Sequence, residues 1–147
     1  MRSRPGLGLG ILCILWALSA CQATPDWVWE RAEAGLPRQA VTLALTVDPG
    51  DPSRLWAGYY APGGLAVSPD GGQTWTIGAQ GLGDNPIFDL LLLPGDVLWA
   101  GTRDGLLKST DGGTSWKPVA TEGLPSATAF ALATDASGQV YVGFDAR

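Results

Sequence analysis

The sequence predicts an all-β fold made of repeated four-stranded units, and three observations support this prediction. The pattern Ser-x-Asp-Gly-Gly-x-Thr/Ser-Trp occupies positions 68–75 and returns at 109–116, with 41 positions between corresponding residues. A fixed period in this range indicates one supersecondary unit copied along the chain. Short apolar runs bounded by turn residues precede each copy. The 21 glycines and 11 prolines suit many short strands joined by turns.

The first twenty residues have the features of an export signal rather than of a folded domain. Arg2 and Arg4 form a basic start, residues 7–18 are apolar, and small residues follow. This order is typical of a secretory signal. The apolar run is shorter than the ~20 residues that a membrane-spanning helix needs. We therefore expect residues 1–20 to be removed from the mature protein.

Residues 18–21, Leu-Ser-Ala-Cys, resemble a bacterial lipobox, in which the cysteine is lipidated on sulfur and becomes the new N-terminus. Ordinary cleavage after Ala20 would place the bulky Leu18 where a small residue is preferred, whereas a lipobox favours Leu at that position. We expect lipidation at Cys21. Ordinary secretory cleavage nearby and an uncleaved anchor are the alternatives. The expected location is the outer face of a bacterial membrane, either periplasmic or on the cell surface.

Composition restricts the partners and the chemistry. Residues 21–147 carry seven basic and fourteen acidic side chains, a net charge of −7, which argues against nucleic acid and against electrostatic attraction to anionic lipid. The acyl chains would then hold the protein at the membrane. The chain has no His, the commonest general base and metal ligand. No cofactor is predicted, and no disulfide is possible in the mature chain, because Cys13 leaves with the signal.

The mature chain is predicted to start with a short tether, residues 21–26, and to continue as repeated units over 27–147. Trp29 stands six positions before a Gly-Leu pair, as Trp75 does, although no box motif precedes Trp29. We therefore interpret residues 27–31 as an outermost strand. The remaining strands are predicted at 41–47, 55–58, 64–67, 87–93, 98–101, 105–108, 128–134 and 140–143, with fourth strands that begin at Trp75 and Trp116. Four strands in each period of about forty residues predict the blades of a β-propeller.

The second strands share the pattern large-aromatic-small-Gly, which recurs after 43 and then 42 positions. The repeated Gly suggests that another part of the backbone approaches closely there. The innermost strand at 87–93 is nearly all apolar, as expected of a strand covered on both faces. Its exception, Asp89, aligns with Leu43 and Phe130 when the strands are superposed by their first residues. Asp89 is a candidate for lining a central channel and touching a ligand; the simpler interpretation is that it faces water at the channel mouth.

Each residue of the repeated motif has a local structural role. An Asp followed by two Gly predicts a tight turn, because the carboxylate accepts turn N–H bonds and Gly reaches positive φ without strain. The Ser can add a similar bond, and the Trp supplies apolar area at the start of the next strand. A catalytic or calcium-binding role is the alternative, but calcium takes about six to eight oxygens and each copy has one carboxylate. We predict structural turns formed by Ser68, Asp70, Gly71, Gly72, Thr74 and Trp75, and by Ser109, Asp111, Gly112, Gly113, Ser115 and Trp116.

The chain thus contains one orphan outer strand, two complete units and the first two strands of a third. Propellers usually have ~4–8 blades around a channel. We expect the sequence to be a fragment cut within its third blade. The alternative is that several short chains assemble into one ring. A third interpretation is a fragment that does not fold, in which open strands and the run Leu90–Leu93 favour aggregation.

The motif at this spacing resembles the Asp-box, or BNR repeat, of β-propeller proteins, and the resemblance covers residues 27–147. That superfamily includes sialidases, xyloglucanase-type glycosidases, the sortilin ligand-binding domain, and photosystem II stability and assembly factors. The spacing of Gly-Leu, Leu-Trp-Ala-Gly and the motif is most similar to the last group and its bacterial relatives. The resemblance implies a non-catalytic module that binds or assembles, with a protein or glycan as the expected ligand.

A glycosidase is the alternative function, because fold alone does not determine function. Sialidases use a Tyr nucleophile, and the resemblance implies that they also need an arginine triad and an Arg-Ile-Pro motif. Residues 21–147 contain only five Arg and no Arg-Ile-Pro. Tyr59, Tyr60 and Tyr141 are explained by core packing in or beside second strands. A xyloglucanase-type acid pair could include Asp89, but the sequence does not identify its partner. In this alternative the catalytic residues lie in the missing blades. The expectation therefore leans against an enzyme.

Overall fold

The computed structural model describes residues 32, 34–37, 41–60, 64–120, 122–123 and 128–145. The predicted signal, Cys21, the tether and the strand containing Trp29 lie outside these residues. Within the described part there is no helix, and the ten strands are β1 (Thr42–Val47), β2 (Leu55–Tyr59), β3 (Leu65–Ser68), β4 (Thr76–Ile77), β5 (Ile87–Leu93), β6 (Val97–Thr102), β7 (Gly105–Ser109), β8 (Lys117–Pro118), β9 (Ala129–Thr134) and β10 (Val140–Phe144).

The strands form two complete antiparallel sheets and one partial sheet. Blade 1 has the order β1-β2-β3-β4, blade 2 has the order β5-β6-β7-β8, and the half-blade consists of β9 and β10. The innermost strands of successive sheets are neighbours, since β1 lies beside β5 and β5 lies beside β9. Each strand predicted within the described residues is present within one or two residues of its expected bounds, because the turn residues that separate the strands mark their ends.

The main core fills the space between the two complete blades. Blade 1 contributes Ala44, Trp56 and Leu65, and blade 2 contributes Ile87, Leu90, Leu98, Ala100, Leu107 and Trp116. The opposite face of blade 1 carries a smaller cluster of Ala57, Tyr59, Ala66 and Trp75, with Leu36 and Leu55 packed against it. Burial of large apolar side chains between sheets is the dominant favourable contribution in a chain of this kind.

Close approach at the repeated glycine of the second strands is confirmed. A Cβ at Gly58 would lie 2.5 Å from the Cγ2 of Ile87, and a Cβ at Gly101 would lie 2.7 Å from the carbonyl oxygen of Ala129. In both cases the neighbour belongs to the innermost strand of the next sheet. Gly at this position therefore lets successive blades pack closely.

Asp89 is aligned differently from the sequence-based superposition. Asp89 pairs with Gly101, Ala44 pairs with Gly58, and Ala131 pairs with Gly143. Asp89 is therefore equivalent to Ala44 and Ala131, one residue away from the predicted Leu43 and Phe130. The difference arises because Thr42 and Ala129, one residue after the superposed Val41 and Thr128, are the equivalents of Ile87: each of the three pairs with the last residue of its second strand. One residue of shift turns a side chain to the other face of its sheet.

Candidate functional site: the box turns and the carboxylate between blades

The two box turns, residues 68–75 and 109–116, connect the third and fourth strands of each blade. In the second turn, the Asp111 carboxylate accepts hydrogen bonds from the Ser115 main-chain N–H at 2.9 Å, the Ser115 hydroxyl at 2.5 Å and the Ser109 hydroxyl at 2.7 Å. The first turn repeats this arrangement, with Asp70 accepting from Thr74 N–H at 2.8 Å and from the Thr74 hydroxyl at 2.6 Å. The carboxylate closes the turn upon itself.

The serine that opens each turn is buried and accepts main-chain hydrogen bonds. Ser109 Oγ accepts from Gly113 N–H at 2.9 Å, and Ser68 Oγ accepts from Gly72 N–H at 2.8 Å. The exposed fractions of these serines are 1% and 0%. The serines therefore provide the acceptor inside the turn, whereas the aspartates hold its solvent side.

The indole N–H of each motif tryptophan donates a hydrogen bond within its own turn. Trp116 Nε1 donates to the Gly113 carbonyl and Trp75 Nε1 donates to the Gly72 carbonyl, each at 3.0 Å. Both indoles are buried. The Ser, Asp, Thr/Ser and Trp side chains of the motif all make hydrogen bonds within their own turns, as expected of structural elements.

Hydrogen bonding within the turns lowers the pKa of both box carboxylates. The pKa of Asp111 falls to about 2, mainly because the Ser115 hydroxyl and main-chain N–H donate to its ionised form. The pKa of Asp70 is lowered in the same way by Thr74. Asp111 is exposed to solvent and Asp70 is partly exposed. A carboxylate held ionised by its own turn is a poor proton donor at neutral pH.

Asp89 ties two innermost strands together. Its Oδ2 accepts a hydrogen bond from Leu132 N–H of β9 at 2.7 Å, and its Oδ1 accepts from its neighbour Leu90 N–H at 2.9 Å. The side chain is half-buried. The Asp89 carboxylate therefore does more than face water, because it accepts the Leu132 N–H of the half-blade.

The tyrosines do not all behave as the sequence indicated. Tyr59 is fully buried, with burial raising the pKa of its hydroxyl, but Tyr60 and Tyr141 are 50% and 51% exposed. Core packing therefore does not explain the last two. Tyr60 follows the last residue of β2 and lies outside the sheet, and the Tyr141 hydroxyl donates to the Asp135 carboxylate in a surface turn.

Sequence reasoning missed a side-chain pair at the end of the blades opposite the box turns. Arg103 lies with its guanidinium 5.8 Å from the centre of the Tyr60 ring, and its Nη2 is 3.5 Å from the Tyr60 hydroxyl. Tyr60 follows β2 and Arg103 follows β6, so two neighbouring blades contribute to the pair. An exposed aromatic ring beside a guanidinium can stack on a sugar ring or bind a carboxylate. The recurrence of a polar residue just after each second strand was the available signal.

A cleft of about 280 Å³ lies at the other end, between the turn after β1 and the turn after β5. Arg54 spans these turns, with ion pairs to Asp48 at 3.2 Å and to Asp96 at 2.8 Å. Its guanidinium also lies 5.0 Å from the centre of the Trp56 ring. The acids here are engaged by the arginine, which joins blade 1 to blade 2.

The described residues contain no cluster of three or more Cys, Asp or Glu side chains placed to hold a metal ion. They also contain no helix with the length and hydropathy needed to cross a membrane.

Solved structures share this arrangement of sheets. A structure of YCF48 bound to D1 peptide has 25% sequence identity and a TM-score of 0.60, and covers 80% of this chain and 37% of its own. The GH74 enzyme of Niastella koreensis has 26% identity and a TM-score of 0.58, and covers 68% of this chain and 16% of its own. These neighbours are β-propellers. The chain has a β-propeller fold. The predicted fold class, four-stranded antiparallel blades, is thereby confirmed.

Among curated proteins, the oligoxyloglucan-reducing end-specific xyloglucanase of Emericella nidulans is 36% identical over 124 residues. That alignment covers 72% of this chain and 14% of the xyloglucanase. No family model matches the chain. The chain therefore spans a small part of the proteins it resembles, and the similarity extends to binding proteins and to glycoside hydrolases alike.

Proposed function

We propose that this chain is a non-catalytic propeller module that is exported, anchored by lipid at Cys21 on the outer face of a bacterial membrane, and binds a protein or glycan ligand. The observation that carries the proposal is the hydrogen bonding of Asp89, the one acidic residue in the described strands β1, β5 and β9. Both of its carboxylate oxygens accept main-chain N–H bonds. A general acid or base has to reach the ligand, whereas this carboxylate joins two strands.

The likeness to YCF48 supports a binding role, since that protein has been solved with a D1 peptide bound. In this chain, Tyr60 and Arg103 offer the best-defined contact surface. Both side chains are exposed and belong to adjacent blades. We assign the ligand contact to this pair, with the aromatic face and the guanidinium as its two recognition groups.

Calorimetry on the intact chain tests the proposal with two probes, the D1 peptide and a xyloglucan oligosaccharide. Binding of either probe without release of new reducing ends is expected. Arg103→Ala and Tyr60→Ala should weaken it, and Thr110→Ala, at an exposed position of the second box turn, should not. Reducing ends released in proportion to protein concentration would overturn the non-catalytic role. Failure of both probes to bind would remove these ligand classes.

A glycosidase remains the second candidate because of the 36% identity to a xyloglucanase. In that case catalytic acids would have to be found among residues other than those held in the box turns. Turnover of xyloglucan that Asp89→Asn abolishes, with an unchanged melting temperature, would favour this function over binding.

The lipid anchor is tested separately from the ligand. Mass spectrometry of the mature N-terminus should find diacylglycerol on Cys21, and Cys21→Ser should release the protein from the membrane fraction. An unmodified N-terminus elsewhere that Cys21→Ser leaves unchanged would contradict the anchor and leave the binding function untouched.

A further inference from the structure

Two tryptophans in equivalent positions have different surroundings. Trp56 is the second residue of β2, and its Nε1 donates at 2.8 Å to the Gly112 carbonyl in the box turn of the next blade. Trp99 stands in the corresponding place, since it pairs with Leu91 and Lys108 as Trp56 pairs with Thr46 and Val67. Trp99 Nε1 is buried and has no hydrogen-bond partner within the described part of the chain. A buried N–H without an acceptor costs free energy and calls for an explanation.

Three glycines in equivalent positions show the same contrast. Gly35 and Gly81 have φ of +92° and +82°, and a Cβ on them would lie 2.1 Å and 2.4 Å from the carbonyl oxygens of Trp75 and Trp116. The residues before them accept hydrogen bonds from those tryptophans, Trp75 N–H to Ala34 and Trp116 N–H to Gln80, both at 2.8 Å. Gly123 has φ of +83°, yet no described atom lies within 4 Å of the position of its Cβ. Gly123 therefore has the backbone conformation of Gly35 and Gly81 but lacks their contact with a box Trp among the described residues.

The outer strand of the half-blade has an edge that its counterparts do not. In blades 1 and 2, the second strand pairs on both sides, with β1 and β3 or with β5 and β7. Among the described strands, β10 pairs with β9 alone. An unpaired strand edge presents main-chain N–H and carbonyl groups that can bind another strand.

We propose that blade 2 and the half-blade together form a docking surface for one β-hairpin that carries a Ser-x-Asp-Gly-Gly-x-Thr/Ser-Trp turn. The first strand of the hairpin pairs with β10. The carbonyl after the Asp of its turn accepts the hydrogen bond of Trp99 Nε1, and the main chain of its Trp lies against Gly123. The occupant is chosen by continuity with blades 1 and 2: Trp56 and Gly81 of blade 1 make the corresponding two contacts with the box turn of blade 2, and β6 makes the strand pairing with β7. The inference rests on this equivalence and not on the proposed ligand-binding function.

A synthetic peptide with the sequence of residues 104–119, the hairpin of blade 2, is the probe. It is titrated into the intact chain carrying ¹⁵N-labelled tryptophan, with indole signals assigned by Trp→Phe variants. Binding should shift the Trp99 indole N–H signal and slow its hydrogen exchange, while the Trp56 signal, already bonded to Gly112, stays constant. The matched control peptide carries Asp111→Ala, which removes the acceptor that closes the turn, and should bind more weakly.

Trp99→Phe in the chain keeps the apolar bulk and removes the donor, so peptide affinity should fall roughly five- to tenfold, the effect of one hydrogen bond to a buried group. Trp56→Phe should leave peptide affinity unchanged. The proposal is overturned if the peptide does not bind or if Trp99→Phe binds it as well as the wild type. Self-association that depends on Trp99 and that the peptide cannot compete with would make a second copy the occupant, which also contradicts it.

Discussion

At the scale of single residues, the second box turn is stabilised by hydrogen bonds to one buried and one exposed side chain. The hydroxyl of Ser109 lies inside the turn and accepts the Gly113 N–H, whereas the Asp111 carboxylate closes the turn from the solvent side. Loss of the inner acceptor has the larger consequence, because water cannot replace it without opening the turn. The serine is therefore the residue on which the stability of the turn depends most directly.

Ser109→Ala should lower the free energy of unfolding by about 1–3 kcal/mol, because it leaves the buried Gly113 N–H without an acceptor. Thr114→Ala is the matched control, since Thr114 belongs to the same turn but is exposed. Urea denaturation followed by Trp fluorescence measures the difference. Equal destabilisation by the two variants would show that the inner hydrogen bond is unimportant.

The lowered pKa values of the box carboxylates predict sensitivity to acid. The pKa of Asp111 is about 2 in the folded chain, below its ordinary 3.8, so its ionised form stabilises the fold. That contribution is complete above pH 3.8 and is lost as the pH falls towards 2. Thermal melts from pH 7 to pH 2 should show the melting temperature falling in this window. Asp111→Asn should flatten the fall, and a variant as acid-sensitive as the wild type would contradict the prediction.

At the scale of elements, the segment after β4 packs against the box turn of blade 2 and is hydrogen-bonded to it. Gln80 and Gly81 follow β4 and run alongside the start of Trp116, with hydrogen bonds in both directions between Gln80 and residues 114 and 116. The approach is so close that Gly81 admits no Cβ. Blades are thus joined in sequence by main-chain contacts, in addition to the apolar core between them.

A matched pair of glycine substitutions separates this contact from backbone strain. Gly81 and Gly123 share φ near +82°, but only Gly81 faces a carbonyl oxygen, at 2.4 Å from the position of its Cβ. Gly123→Ala should cost about 1–2 kcal/mol for the left-handed conformation. Gly81→Ala should cost more, because the backbone of Trp116 has to move. Equal costs in chemical denaturation would show that blade contact adds nothing at this position.

At the scale of the whole molecule, blade 1 exposes the face that blade 2 buries. Leu45 and Leu90 are equivalent, pairing with Ala57 and Ala100. Leu90 is 7% exposed because blade 1 covers it, whereas Leu45 is 60% exposed. The exposed stripe consists of Val41, which precedes β1, and of Leu43, Leu45 and Val47 on β1. Contiguous apolar surface of this kind usually marks an interaction site or a site of aggregation.

The isolated chain 21–147 is therefore expected to be marginal in stability and to form oligomers or aggregates. Leu45→Lys should shift it towards the monomer, because a charge on the stripe opposes apolar association. Ile77→Lys is the control, since Ile77 is also exposed but lies on the outermost strand of blade 1. Size-exclusion chromatography at several concentrations makes the comparison. A monomeric wild type with one cooperative melt would contradict the expectation.

The sequence by itself determined the repeat, the strand order and the turn chemistry, because these depend on residues close together in the chain. The 41-residue period located both box turns, and Asp-Gly-Gly predicted hydrogen bonding between the Asp and its own turn, which Asp70 and Asp111 show. The Gly of Leu-Trp-Ala-Gly predicted a close approach, which Gly58 and Gly101 make.

Only the tertiary structure decided which way the inner-strand side chains point and which of them meet across blades. Asp89 is equivalent to Ala44 and Ala131 and its carboxylate reaches the half-blade, and local alternation does not reveal at which residue each inner strand begins to pair. Tyr60 and Arg103, 43 positions apart, are brought together by blade stacking. The different fates of Trp56 and Trp99, identical in local sequence, arise because each indole depends on the neighbouring sheet, and that dependence exists only in the assembled fold.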